Sequence, residues 1–314
     1  MLRQSEAGDD VSAATRRDPL GTARHDAPGP ARRITRRTTL LPIVSLWWRE
    51  IVRFARQRSR VTGALGQPIL FWILLGSGLG TSFRAGGAAG AGSAVSSVVP
   101  GAPAAAAAGV GYLEYAFPGT CVLVLLFTAI FSTISVIEDR REGFLQAVLV
   151  APIPRSAIVL GKVLGGTSLA VAQALLFLAV APLAGIPLSL ASLALVVALL
   201  TAIAFALTAL GFVIAWGMDS TAGFHAIMNL LLIPMWLLSG AFFPAAGAAG
   251  PLRWLMAANP LTYSVAALRR ALYLGAEPPG GAVPALGVSL AVTALFALAA
   301  FGAASLSVRR RTVV

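Results

Sequence analysis

The densest set of chemically capable side chains in this sequence is the run Glu138, Asp139, Arg140, Arg141 and Glu142, three carboxylates set around two guanidiniums. Mixed charge of this kind suits pairing with a protein surface, because anionic lipid would attract the cations alone. Gly143 follows, and then Phe144, Leu145, Val148 and Leu149 fall on one side of a short helix that Pro152 and Pro154 terminate. An exposed apolar patch beside such charges calls for a partner or a bilayer surface.

Catalysis has little else to work with. His225 lies one turn before Asn229 and close in sequence to Asp219, while His25 sits in a polar tail. A lone histidine is weak ground for a metal or proton-relay site, and capping at a helix end accounts for it. Cys121 is the only cysteine, so no intrachain disulfide or thiolate metal site can be built. Gly161 and Lys162 precede Val163 and lack the upstream glycine of G-x-x-x-x-G-K-[ST], so the chain has no loop to cradle nucleotide phosphates. Neither G-x-S-x-G nor H-E-x-x-H occurs, and we assign no catalytic, cofactor-binding or metal-ligating residue. Gln173, Asn229 and Ser239 lie in apolar stretches. They either line a substrate path or bond neighbouring helices, the latter for about 0.6 kcal/mol each.

The elements that position these residues belong in lipid. Of 314 residues, 57% are hydrophobic and only 11% charged, a balance that would leave a soluble domain covered in sticky patches. A crossing needs roughly 20 mostly apolar residues. Such stretches recur at about 61–82, 116–137, 163–184, 189–215, 226–243 and 283–308. The fold class expected is an all-α polytopic membrane protein with six transmembrane helices. A cytoplasmic loop covers 138–162, and external loops cover 83–115 and 244–282. The Gly/Ala-rich stretch 85–111 is a poor helix former, and 244–279 is too broken to span, suiting one or two short helices in or re-entering the interface.

The net charge of +12 follows topology. Twenty of the 24 Lys and Arg residues fall up to Arg60, between Arg140 and Lys162, or at Arg309 to Arg311; only Arg84, Arg253, Arg269 and Arg270 lie elsewhere. By the positive-inside rule both termini are cytoplasmic, in a plasma-membrane protein. No basic surface with interleaved aromatics is present, which speaks against nucleic acid. Residues 1–38 have the composition of a disordered tail, and 39–311 form the membrane domain. Ile43, Trp47, Ile51 and Phe54 share one face of a helix over 39–60, with Arg49, Arg53, Arg56 and Arg60 opposite. That pattern predicts an amphipathic interfacial helix on the lipid bilayer, arginines toward water or phosphate.

The segment Glu138 to Lys162 resembles the first cytoplasmic loop of the type-2 ABC exporter permeases. Ser239 to Pro244 (SGAFFP) and Asn259 to Arg269 (NPLTYSVAALR) are similar to that family too, and with the six-span plan the likeness covers about Leu41 to Arg311. The resemblance implies that Glu138 to Leu149 docks on a separate ATP-binding subunit, which would hold the ATP and Mg²⁺. It also implies that Pro244 to Tyr273 covers the outer end of a path for a drug-like, lipid or glycan substrate. A homodimer, or pairing with a paralogous permease, follows in the same way. Composition alone leaves open an ion-coupled transporter or channel, disfavoured because no carboxylate lies at mid-span, and a non-transporting scaffold.

Overall fold

The computed structural model describes residues 36–57, 59, 61–74, 112–186, 188–242, 249–276, 278 and 283–310. No strand occurs among them. The helices are α1 (Arg36–Arg56), α2 (Val61–Leu74), α3 (Tyr112–Arg141), α4 (Phe144–Val150) and α5 (Arg155–Leu178). After a 3₁₀ turn at Ala181–Ala184 come α6 (Leu190–Trp216), α7 (Thr221–Trp236) with a π-helical continuation at Leu237–Ala241, α8 (Gly250–Ala258), α9 (Pro260–Leu272) and α10 (Leu286–Arg310).

Helix starts follow local chemistry. The Ser189, Ser220 and Asn259 side chains accept hydrogen bonds from the backbone N–H of Ser192, Gly223 and Leu261, capping α6, α7 and α9. Gly143, at φ 78°, supplies the left-handed residue that separates α3 from α4.

Five described helices are long and apolar enough to cross a membrane: α3, α5, α6, α7 with its π segment, and α10. They match five of the expected crossings, although α5 begins at Arg155 and ends at Leu178, offset from 163–184. The remaining expected crossing, 61–82, is described as the apolar helix α2 through Leu74, and 75–82 lies outside the described residues. Outside them too are the tail through Thr35, the stretch 85–111 and residues 243–248. The broken region after α7 contains two short helices, α8 and α9.

Helix α3 is the axis of the molecule. Nearly every side chain along it is buried, against α5, α6 and α7. Its 30 residues give about 45 Å of rod, longer than the roughly 30 Å hydrocarbon layer. Both its ends therefore reach the interfaces. Helices α7 and α10 have broad apolar outer faces, exposing Leu230, Leu231, Leu295 and Leu298, as lipid-facing helices do.

Helix α1 packs along α5 because two glycines four residues apart on α5 leave its backbone bare. A Cβ on Gly161 would stand 2.8 Å from the Leu46 Cβ, and one on Gly165 only 2.6 Å from the Glu50 Cβ. Trp47 adds an indole hydrogen bond to the Ser168 hydroxyl at 3.0 Å. Leu40, Leu41, Val44 and Trp48 remain exposed on the side away from α5.

Gly165→Leu should push α1 off α5 and cost about 1–3 kcal/mol by overpacking. Gly66→Leu, at a position with open space around it, should cost little. Thermal unfolding of the two purified variants in detergent checks the difference.

Candidate functional site

The run Glu138 to Glu142 meets α1 and α5 at one end of α3. Asp139 is fully buried, and its carboxylate accepts from Arg49 (Nη2 at 2.7 Å, Nη1 at 2.9 Å), from Arg53 Nη1 and from Lys162 Nζ at 2.5 Å. Lys162, only 4% exposed, directs its other protons at Glu50 Oε1 (2.7 Å) and Ser135 Oγ (3.4 Å). Arg53 also holds Glu138 at 3.0 Å and Glu142 at 3.2 Å. Three cations and four carboxylates are thus interleaved. Partial burial works to lower the pKa of Arg49, but its hydrogen bonds to Asp139 and the charges of Asp139 and Glu50 outweigh this and raise it.

Arg140 and Arg141 point the other way. Arg140 donates to the carbonyls of Trp216 (2.6 Å) and Met218 (3.2 Å) and pairs with Asp219 at 3.0 Å. Arg141 donates twice to the Asp219 carbonyl. These guanidiniums neutralise the free carbonyls at the C-terminal end of α6, where cations are favoured.

The stub α4 follows the charged run as the sequence predicts, but its apolar side faces inward. Leu145 is buried, Phe144, Val148 and Leu149 pack on the core, and the Arg49 guanidinium lies 3.7 Å over the Phe144 ring. The expectation of an exposed apolar patch is corrected here: the protein's own core covers that face. What faces outward is Arg141, Glu142, Gln146, Ala147 and Val150, the last 86% exposed. Two of the expected water-facing arginines are corrected in the same way: Arg49 and Arg53 turn onto α3 because desolvated carboxylates there need counter-charge, whereas Arg56 of α1 is exposed as expected and Arg60 lies outside the described residues.

The opposite end of α3 is held by a different chemistry. Three successive residues engage α2 and the C-terminal end of α9: the Leu113 carbonyl accepts from Trp72 of α2 (3.1 Å), Glu114 from the hydroxyl of Tyr273 (2.7 Å), which caps α9, and the Tyr115 carbonyl from Arg269 of α9 (3.4 Å). The Tyr115 hydroxyl donates in turn to the Gly240 carbonyl of the π segment at 3.1 Å. One turn further, Trp236 donates to the Gly119 carbonyl at 2.8 Å, and a Cβ on Gly119 would overlap Ala241.

A model of the ABC-2 type transporter family matches residues 42–273, most of the chain. The chain belongs to that family. Among curated proteins none matches it. This ABC permease is therefore a membrane component, and the charged cluster and stub lie within the matched region.

The ten residues named for docking on an ATP-binding subunit divide by placement. Asp139 and Leu145 are buried, and Glu138, Arg140, Gly143, Phe144, Val148 and Leu149 are half-buried. Only Arg141 and Glu142 are exposed. The three residues named for a substrate path are not brought together by any contact. Gln173 is buried and accepts from Thr128 at 2.6 Å, Ser239 bonds back to Trp236, and Asn229 is exposed on α7. His225 sits against the Phe131 and Phe224 rings, while Asp219 faces Arg140.

Sequence reasoning missed Lys162, Glu50 and the inward turn of Arg49 and Arg53. A signal was there: Lys162 is the only lysine beside 23 arginines, and apart from Arg155 at its first position it is the only charged residue of α5. A compact ammonium with three donors fits between two carboxylates where a planar guanidinium would not. At the far end, Tyr115, Arg269, Glu114 and Tyr273 had no local pattern to announce them.

Lys162→Met should destabilise the permease by about 3–5 kcal/mol, since Asp139 and Glu50 lose their shared counter-ion in a buried setting. The loss should appear in the isolated chain, measured as denaturant unfolding in detergent. Charges that served only a partner would leave that measurement unchanged.

Proposed function

We propose that this ABC permease is the membrane-spanning subunit of an exporter driven by a separate ATPase, moving a drug-like, lipid or glycan substrate by alternating access. In this reading it crosses the plasma membrane six times, the apolar sequence 61–82 supplying the first crossing, with both termini in the cytoplasm. The chain works as a homodimer or beside a paralogous permease. ATP and Mg²⁺ are held by two partner subunits, to which this chain contributes no phosphate-binding loop.

The observation that supports this most is the mounting of α4. The stub extends beyond the end of α3, fixed from one side by the ion pairs to α1 and α5 and from the other by Arg140 and Arg141 on the α6–α7 connection. A push on it is delivered to four membrane helices together, since none of these contacts is a flexible tether. Its outward residues are mostly small or polar, which suits seating in a groove of a soluble partner. The paired state of every buried carboxylate at this end also argues against an ion-coupled carrier, which would need one free to exchange its ion.

Ala147→Glu and Val150→Asp should abolish retention of the ATPase and substrate efflux while the melting temperature of the isolated permease stays the same. Phe144→Asp should lose efflux and stability together, because Phe144 lies beneath Arg49. Co-purification, efflux from cells and thermal unfolding give the three readouts. Undiminished efflux in both surface variants would overturn the docking assignment.

A further inference from the structure

Helix α7 breaks near one end, and the chemistry around that break is specific. Pro234 removes one helical N–H, the ladder loosens into the π segment Leu237–Ala241, and Gly240 takes φ 77° inside it. A bare break would leave backbone carbonyls without partners at membrane depth, at several kcal/mol each. Here the carbonyls are taken up by side chains from other helices. Asn259 donates to Met235 (2.5 Å), Thr262 to Leu238 (3.3 Å), and Arg269 with Tyr115 to Gly240 (both 3.1 Å).

Asn259, Thr262 and Arg269 fall on one side of α9, with Asn259 as its N-cap. Arg269 is 3% exposed, its guanidinium 4.3 Å from the Tyr115 ring centroid. A buried cation is costly unless neutralised, and this one uses carbonyl dipoles and a π face. The acceptors are neutral, so the contact can be exchanged for water more readily than the ion pairs at the far end of α3. Gly240 is the one residue of the segment whose left-handed backbone could relax into the helical region, redirecting the chain after it.

We propose that Gly240 is the hinge of the permease's outer end and that Arg269 and Tyr115 are the positioning residues that latch it closed. They transmit the position of α3, and so of the stub at its other end, to the broken end of α7. Latched, Ala241 is buried against Gly119 of α3 and Ser239 is buried two residues before it; released, the segment turns outward and exposes them. The inference rests on the transporter reading, but the latch can be measured without any ATPase.

The test uses the full chain in cells, with Cys121→Ala removing the one native thiol and Ala241→Cys as reporter. A membrane-impermeant maleimide is added from outside. The latched protein should label slowly, and Arg269→Gln and Tyr115→Phe should each raise the rate about ten-fold, the scale of one charged or buried hydrogen bond lost. Arg269→Lys, which keeps the charge and an N–H donor group, should restore most of the slow labelling. Thermal unfolding of each variant separates latch release from general loosening, since Tyr115→Phe removes one hydroxyl and keeps the ring. Equal labelling rates in the folded Tyr115→Phe and Arg269→Gln variants and their parent would overturn the latch. Faster labelling that leaves ATP-dependent efflux absent in every form, the parent included, would instead refute the transporter reading and keep the hinge.

Discussion

Asp139 is the constraint around which the permease is arranged. A carboxylate removed from water is expensive, and only well-placed cations make its burial tolerable. Arg49 and Arg53 must come from α1 and Lys162 from α5, which fixes the rotation of both helices against α3. Glu50 then balances the lysine, and Glu138 and Glu142 take the second nitrogen of Arg53. An apolar plug of the same volume could be equally stable. What the ions add is a single register, because any slip of α1 by one residue would strand a buried charge. The bare backbone at Gly161 and Gly165 serves the same end by bringing α1 close enough for Glu50 to reach Lys162.

The two ends of α3 therefore differ in kind. At Asp139 the contacts are ionic, buried and mutually dependent. At Tyr115 they are hydrogen bonds to backbone carbonyls, each replaceable by water. On the proposed function, a stiff rod clamped by ions at one end and held by hydrogen bonds at the other would follow whatever moves the stub and yield at its far end. The π segment is where that yielding costs least, since its α-helical ladder has already given way to π bonding around the left-handed Gly240.

Much of the fold was legible because lipid imposes a coarse code. Runs of apolar residues between charged breaks located α3, α5, α6, α7 and α10, and Pro152 and Pro154 ended the stub. The side a residue faces was less legible. In water an amphipathic helix turns its arginines outward, and that logic was applied to α1; inside a bundle a buried carboxylate reverses it. The apolar side of α4 read as exposed for the same reason, since a seven-residue helix gives no clue to what it leans on. The lock at Tyr115 joins residues more than 120 positions apart, through backbone carbonyls that every residue carries, so side-chain identity gave nothing to recognise.

The inward turn of these charges changes what a soluble partner would meet. A partner seated on α4 alone would find a few exposed side chains, far short of the roughly 800 Å² per side of a stable interface. Further area must come from neighbours of the stub at the same end of the bundle: Arg141, Glu142, Pro152 and the exposed Asp219 on the α6–α7 connection. Arg141 already joins two of these surfaces by donating to the Asp219 carbonyl. A partner covering both would clamp α3 and α7 together at that end, leaving relative motion between them to the far end, where α7 is broken. In the proposed exporter, force would thus enter over a broad surface at one end and be expressed at the other, where α7 is broken.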